Sequence, residues 1–313
     1  MNLEACLPAK LRGPSATINK VSAGLSGAGV YRVDCPDGAF VLKNSDTGEP
    51  IERWRTKLDI QQLASNAQLA PRIVHVDESR RAVVSEFVVD RSFPAFFMNP
   101  ASRPAALTLL GRTLRRVHDL PLPAGANGRD AREFLASIWA EFANNPSVPA
   151  FVRDAVHREL STAPRPSKRG VVLSHNDVNP TNLVYDGEHL VLLDWDTAGP
   201  NDPYYDLAAA AVFFRMDEKT CRELLSAYAG DSVAALPARF VYDRRVVGVL
   251  CGAAFLHLAR QNGHPGTTGA ESLDSTPALG EFYQQMRAGA VSIATGEGQW
   301  AFGLALAKAG IAF

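Results

Sequence analysis

The sequence predicts an α+β protein of two lobes, a small β-rich lobe over residues 1–88 and a larger α-rich lobe over 89–313. Three observations carry this expectation. Alternating apolar runs separated by Gly- and Pro-containing turns fill the first ninety residues. Helical periodicity dominates beyond them. Between the two, Pro94, Pro100 and Pro104 punctuate a connecting region.

Taken in order, Ala23–Gly29 (A-G-L-S-G-A-G) reads as a turn after a first strand. Two alternating runs follow, V-Y-R-V from Val30 and A-F-V-L-K from Ala39. The Pro-Asp-Gly turn at Cys35–Gly38 joins them as a hairpin, because Pro presets φ and Gly tolerates positive φ. A helical pattern runs from Pro50 to about Gln68 and is limited by Pro71. Ile73–Val76 and Ala82–Val88 are strands around the D-E-S-R-R turn, and the lobes join near Glu86–Asp90. A helix over Ala105–Asp119 opens the second lobe, which stays helical except for a strand pair within Val171–Trp195. Ala163–Ser167 and Gly263–Gly269 are surface loops, and Gly296–Phe313 is either a final helix on the large lobe or a contact to a partner chain.

Composition narrows the function classes. The chain of 313 residues is 46% hydrophobic and 21% charged, with a net charge of -1, so its balance points to neither nucleic acid nor an anionic membrane. Arg112, Arg115 and Arg116 have the spacing of a solvated helix face. Cys6, Cys35, Cys221 and Cys251 form no C-x-x-C pair and read as reduced thiols of a cytoplasmic protein. No basic region followed by an apolar core opens the chain, which predicts no signal peptide. The run V-V-G-V-L-C-G-A-A-F-L from Val246 is too short for a bilayer and reads as core helix.

The chemistry gathers in L-S-H-N-D-V-N-P-T-N-L-V-Y-D-G-E-H-L-V-L-L-D-W-D, Leu173–Asp196. Asp186-Gly187 between two apolar runs reads as a hairpin turn, which brings Asn182 and Asp194 side by side at the hairpin mouth. A carboxylate and an amide oxygen there make a fair Mg²⁺ site, since Mg²⁺ takes oxygen ligands and keeps several waters. Asp177, five residues before Asn182, then lies within reach of whatever the metal orients. Metal ligands for phosphates plus a carboxylate that accepts a hydroxyl proton are what phosphoryl transfer requires. Any one of these residues alone fits a structural Asx turn equally well. A metal-dependent hydrolase built on His175 and the Asp residues would need further ligands at short spacing, and the sequence has none. Gly24, Ser26 and Gly27, in G-L-S-G-A-G, could close backbone N–H groups over phosphates, and Lys43 could reach them from the next strand.

On these motifs the chain resembles the aminoglycoside phosphotransferase and choline kinase family, whose fold is the two-lobed protein-kinase-like one. The resemblance runs from about Ser22 to Gly230. It rests on G-L-S-G-A-G-V-Y-R-V, V-L-K, L-A-P-R-I (Leu69–Ile73), L-R-R-V-H-D-L-P (Leu114–Pro121), S-H-N-D-V-N-P-T-N-L, L-L-D-W-D and N-D-P-Y-Y-D-L-A (Asn201–Ala208). It implies an ATP- and Mg²⁺-dependent kinase acting on a small-molecule hydroxyl, with Asp177 as base and Asn182 and Asp194 as metal ligands. It further implies that Glu86–Val88 is the connection whose backbone, at Glu86 and Val88, binds adenine. His175 would pack beneath the loop, and Asp206 would hydrogen-bond the loop backbone. Asp196 would assist a second metal or cap the following turn, with the cap preferred. The family pairs its strand Lys with an acid of the first helix, usually Glu; here Asp59 is preferred and Glu52 is the alternative.

The motifs are nearest to the choline/ethanolamine and thiamine-kinase-like branch, which implies an amino-alcohol acceptor. Trp195, Tyr204, Tyr205, Phe255 and Trp139 could surround a quaternary ammonium or could simply be core. Asp274, Glu271 and Glu281 are too scattered to read as a polycation site, and His257 and His264 read as packing groups. An aminoglycoside, sugar or homoserine acceptor, or a nucleotide-binding module without transfer activity, are the competing readings.

Overall fold

The computed structural model describes residues 2–21, 29–45, 48–126, 128, 130–142, 148–162 and 170–313. Strands β1 (Thr17–Lys20), β2 (Gly29–Cys35) and β3 (Gly38–Asn44) form an antiparallel meander, and the turn pairs Cys35 with Gly38. Gly38 takes φ 128, which a residue with a Cβ adopts only under strain, so the Pro-Asp-Gly reading of the turn holds. Helix α1 (Ile51–Asn66) follows, then β4 (Ile73–Asp77) and β5 (Ala82–Glu86), giving the sheet order β1-β2-β3-β5-β4. One face of this sheet buries Val33, Phe40, Leu42, Ala82 and Val84 against Cys6, Leu7 and Leu11 from the N-terminal segment.

The connecting region is not a plain linker. Phe93–Met98 forms a short helix, α2, with Pro94 in its first turn, where the missing N–H costs nothing. Helix α3 (Arg103–His118) starts earlier than its sequence pattern suggests for the same reason, with Pro104 in its opening turn. Helices α4 (Ala131–Phe142) and α5 (Ala150–Ser161) precede three short strands, β6 (Val172–Ser174), β7 (Leu183–Tyr185) and β8 (Leu190–Leu192). Strands β7 and β8 pair as the expected hairpin. The partner of β6 was not foreseen: it is β9 (Gly199–Asn201), beyond the stretch, and the pair β6–β9, with Ser174 opposite Gly199, fixes the point where the chain enters the loop at 175–177.

Helices α6 (Tyr204–Phe213), α7 (Glu218–Ala229), α8 (Ala238–Gln261), α9 (Leu279–Arg287) and α10 (Gly296–Ile311) complete the chain. The C-terminal segment is therefore a helix packed on the large lobe. It lies along α8 at glycine contacts: a Cβ on Gly248 would come within 2.6 Å of the Gly310 backbone, and one on Gly252 within 2.7 Å of the Gly303 carbonyl. Among the described residues no helix is long and apolar enough to cross a membrane, and all four cysteines are free thiols. The end of α1 and the residues after it (Ile60, Ala64, Leu69, Ala70) belong to the same apolar cluster as α3, α6 and β8, so the small sheet is tethered to the helices through α1 as well as through the connection. The Leu192 N–H to Leu69 carbonyl bond, 2.8 Å, reinforces that tether.

Candidate active site

The site is assembled at the ends of β6, β7 and β8. Beyond Ser174 the chain turns, and His175 is wholly buried with its ring edge-on to Trp195 at 4.8 Å. Its Nε2 donates to the Leu193 carbonyl (2.9 Å) and its Nδ1 accepts the Asp177 N–H (3.3 Å). Both ring nitrogens are thus committed to backbone, which makes His175 a strut, as its position beneath the loop suggested. Asn176 stands at φ 64, a left-handed conformation that costs a non-glycine residue on the order of 1 kcal/mol or more. Asp206, with no exposed surface, holds that conformation: its Oδ2 accepts the His175 N–H (2.7 Å) and its Oδ1 the Asn176 N–H (2.8 Å). Asn176 adds a bond from its Nδ2 to the Thr197 carbonyl (3.0 Å) and accepts from Asn201 Nδ2 (2.8 Å).

Buried His118 completes this support, with Nε2 3.1 Å from Asp206 Oδ2 and Nδ1 2.9 Å from the Tyr228 hydroxyl. A carboxylate only accepts, so Nε2 carries a proton toward Asp206. Burial works to raise the Asp206 pKa, but the His118 hydrogen bond and charge, together with the loop N–H donors, hold it below its ordinary value. The sequence assigned His118 no role. It lies among Arg115, Arg116 and Asp119, where a histidine looks like an ordinary helix-end residue, and its partner is 88 residues away.

Asp177 is held by amides. Asn182 Nδ2 donates to Asp177 Oδ2 (2.7 Å) and to its backbone carbonyl (3.0 Å), which spends that nitrogen and leaves Asn182 Oδ1 as an acceptor. Asn179, which sequence reasoning passed over, donates from Nδ2 to Asp177 Oδ1 (2.9 Å). Burial raises the Asp177 pKa, and the neighbouring Asp194 charge adds to this, against His175 and the two amides. A carboxylate so placed is a better proton acceptor than one in water.

The hairpin brings Asn182 to Asp194: the Leu193 N–H bonds the Asn182 carbonyl at 2.8 Å. Asp194 itself takes φ 59, turning its carboxylate out of the strand direction toward β3. There Lys43 meets it, with Nζ 2.7 Å from Asp194 Oδ1 and 2.8 Å from Asp196 Oδ1. Burial alone would lower the Lys43 pKa, but Asp196 and Asp194 together raise it. Burial would likewise raise Asp194, and the Lys43 ammonium instead holds its carboxyl below the ordinary value. An ionised carboxylate beside an uncommitted amide oxygen is a hard-oxygen pair that fits Mg²⁺. Among the described residues no group of three or more His, Cys, Asp or Glu side chains gathers as a metal site, so phosphate oxygens and waters would have to complete the shell.

Several expectations need correction. Lys43 pairs with Asp194 and Asp196, not with an acid of α1. That helix buries Trp54, Ile60 and Ala64, which leaves Asp59 and Glu52 on its exposed side. Asp196 is likewise engaged by Lys43 rather than acting as the cap of the Trp195–Thr197 turn, whose N-cap position is Asp194. The aromatic residues form no common cage. Trp195 packs on His175 and donates to the Leu192 carbonyl at 2.9 Å, and Phe255 meets Phe302 edge-on at 4.6 Å. Tyr204 meets Phe240, Tyr205 is core, and Trp139 packs against a different apolar cluster. Gly24, Ser26 and Gly27 lie outside the described residues. At the lobe connection Glu86 ends β5; its side chain pairs with Arg72 and its N–H with the Arg72 carbonyl (2.9 Å). The Phe87 N–H bonds the Ala39 carbonyl at 3.0 Å, and Val88 is the first residue past these strand-type bonds.

A small antiparallel sheet over a helical lobe, with an Asp–Asn loop facing a Lys-bound Asp, is the arrangement of the protein-kinase-like phosphotransferases. The model of the phosphotransferase enzyme family (APH) matches residues 17–244. The chain therefore belongs to that family, and it is a phosphotransferase acting on hydroxyl groups. No curated protein sequence matches it significantly. Among solved structures it is similar to a choline/ethanolamine kinase family protein from Mesorhizobium loti, at 21% identity and TM-score 0.62, over 97% of this chain and 94% of that one. The choline kinase LicA from Streptococcus pneumoniae matches at 16% identity and TM-score 0.61, over 81% and 89%, and a complex of LicA with AMP is also similar. An aminoglycoside-3'-phosphotransferase of type VIII matches at 20% identity and TM-score 0.56, over 77% and 95%. At these identities the likeness establishes the fold.

Proposed function

We propose that the protein transfers the γ-phosphoryl group of ATP, in a Mg²⁺-dependent reaction, to the hydroxyl of a small amino alcohol of the choline, ethanolamine or thiamine kind. The observation that carries this reading is the Asp177 carboxylate, fixed by Asn182 at 2.7 Å beside the Lys43-bound Asp194. Asp177 accepts the proton of the acceptor hydroxyl as that oxygen attacks phosphorus, and burial keeps the carboxylate basic enough to do so. Lys43 supplies positive charge to the phosphates. Asn182 Oδ1 and Asp194 would hold the Mg²⁺, which would supply neutralisation of charge on the phosphate oxygens. Gly24, Ser26 and Gly27 would cover the phosphates, and the backbone at Glu86 and Val88 would receive adenine, with residues 1–88 serving as the nucleotide lobe and 89–313 as the catalytic lobe. The AMP complex of the similar LicA supports nucleotide binding. The Asp59 role falls away, since Lys43 has two other partners. The free thiols support a reducing compartment, the cytoplasm.

The amino-alcohol reading rests on S-H-N-D and N-D-P-Y-Y-D-L-A and on the similar choline and choline/ethanolamine kinase structures. ADP release from Mg-ATP, measured with choline, ethanolamine, thiamine, homoserine, sugars and an aminoglycoside, tests it. Stimulation by the amino alcohols alone is expected. Stimulation by the aminoglycoside alone would move the acceptor to the other branch, and no stimulation by any would refute the reading.

A further inference from the structure

We propose that Asn179 is a positioning residue that fixes the plane of the Asp177 carboxylate; this rests on the reading of Asp177 as the base. Asn179 makes two kinds of bond. Its Oδ1 accepts the Thr181 N–H (2.9 Å) and the Thr181 hydroxyl (2.6 Å). Two donors on one amide atom identify that atom as oxygen, so the NH₂ group is the one turned toward Asp177. From there it donates to Asp177 Oδ1 at 2.9 Å, with a longer contact of 3.4 Å to the Asp177 carbonyl.

Asn182 grips the opposite oxygen, Oδ2, at 2.7 Å. The terminal torsion of an aspartate is broad, and a single hydrogen bond leaves the carboxylate free to swing about the held oxygen. Held at both oxygens, it keeps one plane, with lone pairs of each oxygen still open to an incoming hydroxyl. The two amides differ in their second duty. Among the described residues nothing donates to Asn182 Oδ1, whereas the Asn179 oxygen is occupied by Thr181, so of the two only Asn182 has an amide oxygen left for a metal.

A purely structural role makes a different forecast. The Thr181 N–H on Asn179 Oδ1 is an Asx turn, and a serine hydroxyl oxygen forms the equivalent turn. Asn179→Ser therefore keeps a turn acceptor, withdraws the amide donor facing Asp177 and adds no charge beside it, whereas an aspartate there would repel the base whatever Asn179 does. Asn179→Ala loses both turn and donor. If Asn179 only builds the turn, Asn179→Ser behaves as wild type. If it positions the base, Asn179→Ser loses about as much kcat as Asn179→Ala, on the order of ten- to a hundredfold, because a misplaced reacting group costs about that much.

The experiment measures kcat and the KM for ATP by ADP release, with the best acceptor of the panel, and the affinity for a non-hydrolysable ATP analogue by calorimetry. The expected result is a fall in kcat for both variants, with KM and analogue affinity within about twofold of wild type. Wild-type kcat in Asn179→Ser would overturn the inference, as would a loss confined to KM or analogue affinity, which would mark a nucleotide contact. Should Asn179→Ala fail to fold, Asn179→Ser decides alone, since it retains the turn. Wild-type protein that releases no ADP with any acceptor removes the assignment of Asp177 as the base, and this inference with it. An active wild type with an active Asn179→Ser removes only the inference.

Discussion

Removing the Asp206 carboxylate should cost both the fold and the loop it supports. Asp206→Ala deletes an acceptor with no exposed surface that receives three donors, at 2.7 Å from His175 N, 2.8 Å from Asn176 N and 3.1 Å from His118 Nε2. Hydrogen bonds to a charged group contribute roughly 1.5–3 kcal/mol each, and buried donors left without partners cost about 1–3 kcal/mol each. The three share one carboxylate and are not additive, so the loss expected is about 5 kcal/mol. For a chain of this size that lowers Tm by roughly 10 °C. Asp206→Asn keeps one acceptor oxygen, which can receive the His175 and His118 donors, and turns its NH₂ group on the Asn176 N–H, so about half the loss is expected, roughly 2–3 kcal/mol. Protonation acts in the same direction. The Asp206 carboxyl is held below its ordinary value of 3.8, so its stabilisation is fully present above the unfolded pKa and is lost as pH falls through the folded one. Urea unfolding followed by circular dichroism, at pH 7 and at stepped acid pH, measures both effects. A loss below about 1 kcal/mol in Asp206→Ala at neutral pH would refute the reasoning, because it would mean that the loop donors find partners elsewhere.

Other perturbations separate the remaining parts. Gly248→Ala places a methyl group 2.6 Å from the Gly310 backbone, where no side chain can give way, so a loss of about 1–3 kcal/mol is expected in thermal unfolding. Leu110→Ala empties a fully buried position of α3 and should cost about 2–5 kcal/mol by the same measurement. Lys43→Met leaves Asp194 and Asp196 facing each other without their shared cation, and kcat/KM for ATP in ADP release should fall on the order of a hundredfold. An unchanged kcat/KM would remove Lys43 from the phosphate site.

How far the sequence was legible depended on the range of each signal. The hairpins at Pro36-Asp37-Gly38 and Asp186-Gly187 are local, set by turn residues within four positions, and both formed as read. The second also placed Asn182 beside Asp194, because hairpin closure dictates it. Proline misled at Pro94 and Pro104, since the first turn of a helix tolerates it and the pattern alone does not say which turn is meant. Strand β9 is Gly-Pro-Asn, with no alternation to announce it, and it pairs only because β6 lies alongside. Long-range partners were the least visible. Lys43 reaches Asp194 across 151 residues, and whether its ammonium prefers that carboxylate or Asp59 depends on which face α1 turns inward. Asn179 had a signal within reach, the Asn-x-Thr spacing of an Asx turn, but its second bond to Asp177 follows from the loop geometry.

The measurement that tests the central claim most directly compares Asp177→Asn with wild type under saturating Mg-ATP and acceptor, with nucleotide affinity measured in parallel. The substitution keeps the size of the side chain and removes its ability to take a proton. A kcat lower by about 10²- to 10⁴-fold, with nucleotide affinity within about twofold of wild type, is predicted for a group that acts as the base. A variant that turns over within about threefold of wild type would contradict the account, whatever its stability.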